Sequence, residues 1–110
     1  MTQPKPNFET EPELAATVAE VVKALGHPLR LGIVSILAKR DARVTELCEI
    51  LSAKQAVVSQ QLRILRMSGL VVATKDDGVQ RYTLKEPRIR DLLACLGGCD
   101  RDRTAARLGP

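Results

Sequence analysis

The side chains in this sequence with the widest chemical reach are three cysteines, Cys48, Cys95 and Cys99, one histidine, His27, and a run of amides and cations between Lys54 and Arg63. A thiolate is both a nucleophile and a ligand for soft ions. Cys95 and Cys99 stand four residues apart, a spacing that a helix brings onto one face, although Gly97-Gly98 stands between them as a helix stop. With Thr45 as the cap of a short helix, Cys48 falls at the third helical position. There, free backbone N–H groups and the positive end of the helix dipole favour a thiolate, and Arg43 is close in sequence. A free cysteine is also commonly a small buried apolar residue. His27 precedes Pro28 and has no second histidine to work with, so it reads as a helix-start residue, and an ordinary zinc site is not expected. A cysteine with one remote histidine, without a phosphate-binding Gly loop or a pocket of acids, is poor material for an enzyme.

The polar run carries a different chemistry. Gln reads an adenine edge with two hydrogen bonds, Ser reaches a base or a phosphate, and Lys or Arg neutralises phosphate. Lys54, Gln55, Ser59, Gln60, Gln61 and Arg63 hold that mixture. On an isolated helix they would be no more than a solvated face. Their meaning depends on the elements around them.

Leu14, Val18, Val21, Val22 and Leu25 recur at helical spacing from Pro12, and Gly26 ends that helix. Pro28 suits the first position of a second helix, whose apolar face is Leu29, Ile33, Ile36 and Leu37. A third, short helix runs from Val44-Thr45 to about Leu51, and Ser52-Ala53-Lys54 is a tight break. The fourth, from Gln55 to about Met67, has Val58, Leu62 and Leu65 on one face and stops at Ser68-Gly69. The period then changes to 2: a strand over Leu70 to Lys75, an Asp77-Gly78 turn, and a return strand from Gln80 to Leu84. A last helix is expected from about Glu86 to Gly97, with Ile89, Leu92, Leu93 and Leu96 on one face.

Two short helices joined by a tight turn and followed by a hairpin predict a mainly α fold with a β-hairpin wing, the winged helix-turn-helix in the order α-α-α-α-β-β-α. In that layout the second helix of the pair enters the major groove and the hairpin reaches along the backbone. Lys75, Gln80 and Arg81 are then candidates for the sugar-phosphate, while Asp76 and Asp77 oppose close approach of the hairpin tip. Double-stranded DNA is the expected partner; the competing class is an interaction module that uses the same fold without DNA.

Composition is consistent with this. The 110 residues fit one domain, divided as a disordered tail over 1–11, the winged domain over 12–98 and a flexible tail over 99–110. Phe8 and Tyr82 are the only aromatic residues, so the core must be aliphatic, and apolar surface on the outer helices favours a second copy of the chain. Seventeen Lys and Arg against thirteen Asp and Glu give a formal charge of +4. The excess gathers between Ser52 and Leu84, where Lys54, Arg63, Arg66, Lys75 and Arg81 face only Asp76 and Asp77. No apolar run suits a signal peptide or a membrane span, so the expected location is the cytoplasm, where thiols stay reduced.

The segments ALGHPLRLGIVSIL (Ala24 to Leu37), VTELCEIL (Val44 to Leu51), QAVVSQQLRILRMSGLV (Gln55 to Val71) and the closing RYTL (Arg81 to Leu84) together resemble the ArsR/SmtB family of bacterial winged-helix repressors. The resemblance covers roughly Leu14 to Leu96. It implies a homodimer built on the first and last helices, seated on a two-fold-symmetric operator and released by an inducer. Gln61 departs from the family, many of whose members carry His there. Zinc-type members pair Asp and His on the last helix, and here only Asp91 is present. In the family's thiol-switch branch, which responds to persulfides or oxidants, the cysteine of the ELC segment pairs with one on the last helix; Cys48 matches the first, and Cys99 or Cys95 approximately the second. In its arsenic-sensing branch a V-C-D-L-C segment is common, of which this chain keeps only the final Cys48. An As(III) or other soft ion held by thiolates of Cys48, Cys95 and Cys99 is the alternative to the thiol switch, and no constitutive cofactor is expected.

Overall fold

In the computed structural model of the chain, residues 5, 7–86 and 88–97 are described. Helices α1 (Pro12–Leu25), α2 (Pro28–Leu37), α3 (Val44–Leu51) and α4 (Gln55–Met67) precede strands β1 (Val71–Asp76) and β2 (Val79–Leu84). A fifth helix, α5, covers residues 89–97. This is the winged helix-turn-helix order read from the sequence. Ahead of α1, the Asn7 carbonyl accepts the N–H groups of Thr10 and Glu11, so the end of the expected tail forms a turn.

Each junction has a local cause. Pro28 begins α2 and has no N–H to give to the Ala24 carbonyl four residues back, so α1 cannot continue through it. His27 is the N-cap of α2, its Nδ1 accepting the Leu29 N–H at 3.1 Å, the helix-start role expected of it. Between α3 and α4, Ser52 adopts the left-handed conformation (φ 50°, ψ 46°), and its N–H and that of Ala53 both donate to the Cys48 carbonyl. Gly69, at φ 79°, reverses the chain after α4.

Helix α3 spans the expected residues, but its cap differs from expectation. Its N-cap is Arg43, not Thr45, because Glu46 folds back: Oε1 accepts the Arg43 N–H at 3.0 Å and Arg43 Nε at 3.3 Å. Arg40 donates to Glu46 Oε2 at 3.1 Å. Cys48 is therefore the fifth helical residue rather than the third, past the unsatisfied N–H groups of the first turn. The Arg43 N–H, then the guanidinium groups, hold the Glu46 carboxyl below the usual carboxylate range. A lowered carboxylate stabilises the fold above its unfolded titration range and loses that contribution as pH falls. Glu46→Gln should accordingly melt below wild type at neutral pH, and the two melting temperatures should converge below the carboxylate range; a gap independent of pH would contradict this.

The wing is an antiparallel hairpin whose register pairs Val71 with Leu84, Ala73 with Tyr82 and Lys75 with Gln80 on one face, and Thr74 with Arg81 on the other. Asp77 (φ 52°) and Gly78 (φ 76°) make its turn with the two positive φ values of a type I′ hairpin; β1 lies one residue nearer to that turn than expected, and β2 begins one residue earlier but ends as expected. Ala42 pairs with Tyr82 through both backbone bonds, 2.8 and 3.2 Å, which ties the approach to α3 directly to the wing. The core lies where these elements meet: Ile33, Val34 and Leu37 of α2, Leu47 of α3, Val58, Leu62 and Leu65 of α4, and Val71, Tyr82 and Leu84 of the wing. Helix α5 starts at residue 89 rather than near 86, since the Glu86 carboxylate accepts the Arg88 N–H at 3.2 Å and its carbonyl accepts Ile89 N–H, forming a turn first.

Candidate nucleic-acid interface

The period of α4 separates two faces. Val58, Gln61, Leu62 and Leu65 point into the core. Opposite them, Ala56, Gln60, Arg63 and Met67 form one exposed ridge at spacings of four, three and four, with Gln55, Ser59 and Arg66 on one flank and Val57 on the other. Lys54, exposed, is the N-cap residue. Gln55, Ser59, Gln60 and Arg63 thus share the outer surface of one helix. Arg63 makes no ion pair among the described residues, which leaves its charge for a solvent-side partner.

Gln61 corrects the sequence reading. It was expected among the outward residues, but it is buried, 9% exposed, and its Oε1 accepts a hydrogen bond from an Arg30 guanidinium nitrogen at 2.9 Å. It stands three residues after Val58 and four before Leu65, on the apolar stripe, so helical spacing itself carried the signal. Arg30 was missed altogether, and the sequence around it gives no hint of a partner thirty-one residues away. Ala56 and Val57, whose residue types do not mark them as interface candidates, also face outward in the first turn of α4.

At the wing, Lys75 and Gln80 are exposed cross-strand partners on the face that carries Tyr82, whose hydroxyl donates to Gln80 Oε1 at 3.2 Å. Arg81 is half-buried on the opposite face. The three wing candidates are therefore divided between two sides of the ribbon. Asp76 and Asp77 stand exposed at its tip.

The sensing candidates are spread over the molecule. Cys48 is half-buried on α3 and packs against the core; Cys95 is exposed on α5; Cys99 lies outside the described residues. Among the described residues no three His, Cys, Asp or Glu side chains gather as metal ligands. Helices α1 and α5 leave apolar side chains uncovered: Leu14 and Val22 on the first, Leu92 and Leu96 on the last. No helix of the described residues is long and apolar enough to cross a membrane.

A helix-turn-helix with an exposed polar-cationic second helix and a tethered hairpin is the architecture of winged DNA-binding domains. The model of the bacterial regulatory protein arsR family matches residues 27–72, from the cap of α2 into β1. The HTH-type transcriptional regulator Rv0081 of Mycobacterium tuberculosis is 39% identical over 88 residues, 79% of this chain and 76% of that protein. The crystal structure of the transcriptional repressor BigR from Xylella fastidiosa superposes with a TM-score of 0.74 at 33% identity, over 83% of this chain and 93% of that one. The homodimeric winged helix-turn-helix domain Mb0332 of Mycobacterium bovis shares the fold, with a TM-score of 0.74 over 99% of both chains at 22% identity. The chain belongs to the arsR family of bacterial regulatory proteins. It is a DNA-binding transcriptional repressor of that family, not an enzyme.

Proposed function

We propose that the protein acts in the cytoplasm as a homodimer that seats α4 of each subunit in successive major grooves of a two-fold-symmetric operator and leaves it when its cysteines are oxidised by a persulfide. The observation that carries the DNA-reading part is the outer ridge of α4. Gln60, at the centre of that ridge, would read an adenine edge, and Ala56 and Val57 would rest against thymine methyl groups. Lys54, Gln55, Ser59 and Arg63 would fix the helix on base edges and phosphates, with Lys75, Gln80 and Arg81 along the flanking backbone. The uncovered apolar residues of α1 and α5 favour a dimer through those two helices, since a second copy of the same face is the simplest cover.

The sensing part rests on two thiols of unlike setting. Cys95 is open to solvent, whereas Cys48 packs against the core one helix before α4. A persulfide R–S–SH would pass its outer sulfur to the exposed thiol, releasing R–SH; Cys48 would then attack the protein sulfur of that persulfide and expel hydrogen sulfide, leaving a disulfide. Cys99 is the other candidate for the first role. Two thiols are oxidised and the persulfide is reduced, and the new bond ties α3 to α5. Because Cys48 is half-buried against the core, a bond from it to α5 would pull on α3 and through it on the angle of α4.

The test is fluorescence anisotropy of the reduced protein on duplexes that it selects from a random-sequence library, challenged in parallel with an organic persulfide and with arsenite. Release by persulfide, lost in Cys48→Ser, is the expected result. Full release of Cys48→Ser by persulfide would contradict the role of that residue, and release by arsenite alone would replace the thiol switch with a three-thiolate metalloid site.

A further inference from the structure

We infer that Arg30 and Gln61 form a clamp that sets the orientation of the DNA-reading helix against the end of α1, and that they act as positioning residues for sequence-specific recognition without touching DNA. The argument begins at a missing donor. In an uninterrupted helix the Ala24 carbonyl would accept the N–H of residue 28, but that residue is proline. Arg30, on the first turn of α2, fills the gap: its Nε donates to the Ala24 carbonyl at 2.6 Å. The same guanidinium turns another nitrogen to Gln61 Oε1 at 2.9 Å. One rigid, planar group thereby spans the last turn of α1, the start of α2 and the middle of α4.

Apart from the tyrosine hydroxyl of Tyr82, Gln61 is the only polar side chain buried among the described residues. An apolar residue at that point of the Val58, Leu62, Leu65 stripe would pack as well and would need no partner. Apolar contacts are non-directional and fix the roll of a helix less sharply than a hydrogen bond to a fixed guanidinium does. Gln60 and Ser59 on the outer surface precede Gln61 directly, so a small roll of α4 would carry them off their base edges. Non-specific binding, by contrast, depends on the count of cations near phosphate and tolerates such a roll.

This inference rests on α4 being the DNA-reading helix, and the experiment separates the two. Wild type, Gln61→Leu, Arg30→Lys and the double variant are compared on a duplex selected by wild type and on a random-sequence duplex of equal length, each below its melting temperature. Arg30→Lys keeps the charge and loses the fork; Gln61→Leu keeps the volume and loses the acceptor. Each single variant should bind the selected duplex at least about tenfold more weakly, since the dimer loses the clamp in both subunits. Binding to random duplex and the salt dependence should stay unchanged, and the double variant should be no weaker than the singles. Unchanged affinity for the selected duplex would overturn the clamp, and so would an equal loss on both duplexes, which is the signature of a merely structural role or of a direct phosphate contact. A wild-type protein that fails to distinguish the two duplexes would instead refute the reading of α4.

Discussion

Replacing Gln60 and Arg63 by alanine should abolish most sequence-specific DNA binding while leaving the fold intact. Both side chains lie on the exposed ridge of α4, away from the Val58, Leu62, Leu65 stripe, so neither truncation opens a cavity. A bidentate base contact contributes about 1–3 kcal/mol of discrimination, and a dimer makes each contact twice. Gln60→Ala should therefore flatten the preference for one base pair in each half-site. Arg63→Ala should weaken binding across sequences and reduce the slope of log K against log salt by about 0.9 for each subunit that contacts phosphate. Titrations of both variants at several salt concentrations give both quantities. An unaltered slope for Arg63→Ala together with unaltered base preference for Gln60→Ala would remove the outer surface of α4 from the interface.

The second large effect is on stability. Leu62 is fully buried where α4 meets the other core helices and the wing. Leu62→Ala should cost about 2–5 kcal/mol, the transfer term for the two lost methyl groups and the methine plus the cavity left in a core that has almost no aromatic residue to collapse into it. Set against a total of about 5–15 kcal/mol for an ordinary domain, that leaves a protein close to unfolding. Urea unfolding at fixed protein concentration measures it, the concentration being held because subunit association adds to apparent stability. A loss below about 1 kcal/mol would mean that the site relaxes far more than its packing indicates.

Much of the fold was legible in the sequence because the signals were local. Pro28, Gly26, Gly69 and the Asp77-Gly78 pair act through their own backbone, and each stands at the junction they mark. The cap of α3 was misassigned, though its span was not, because Glu46 reaches back to Arg43 and Arg40, a side-chain arrangement that outcompetes the intrinsic preference for Thr at a cap. That shift matters for function, since it takes Cys48 out of the first helical turn. At the interface, residue type found Gln55, Ser59, Gln60 and Arg63, yet treating glutamine as polar and therefore outward misassigned Gln61. Its inward position is compensated by Arg30, and this long-range partner is invisible to any reading of short segments. The wing gave a similar lesson: strand alternation puts Lys75 and Gln80 on one side and Arg81 on the other, which follows from the register once Lys75 is known to pair with Gln80.

The most direct test of the account is hydroxyl-radical footprinting of the reduced protein on a duplex that it selects from a random-sequence library. Two copies of α4 reading one symmetric site should protect two patches centred about one helical turn, roughly 10 base pairs, apart, or at a multiple of that spacing. A single unsymmetrical patch, or weak protection spread evenly along the duplex, would contradict it.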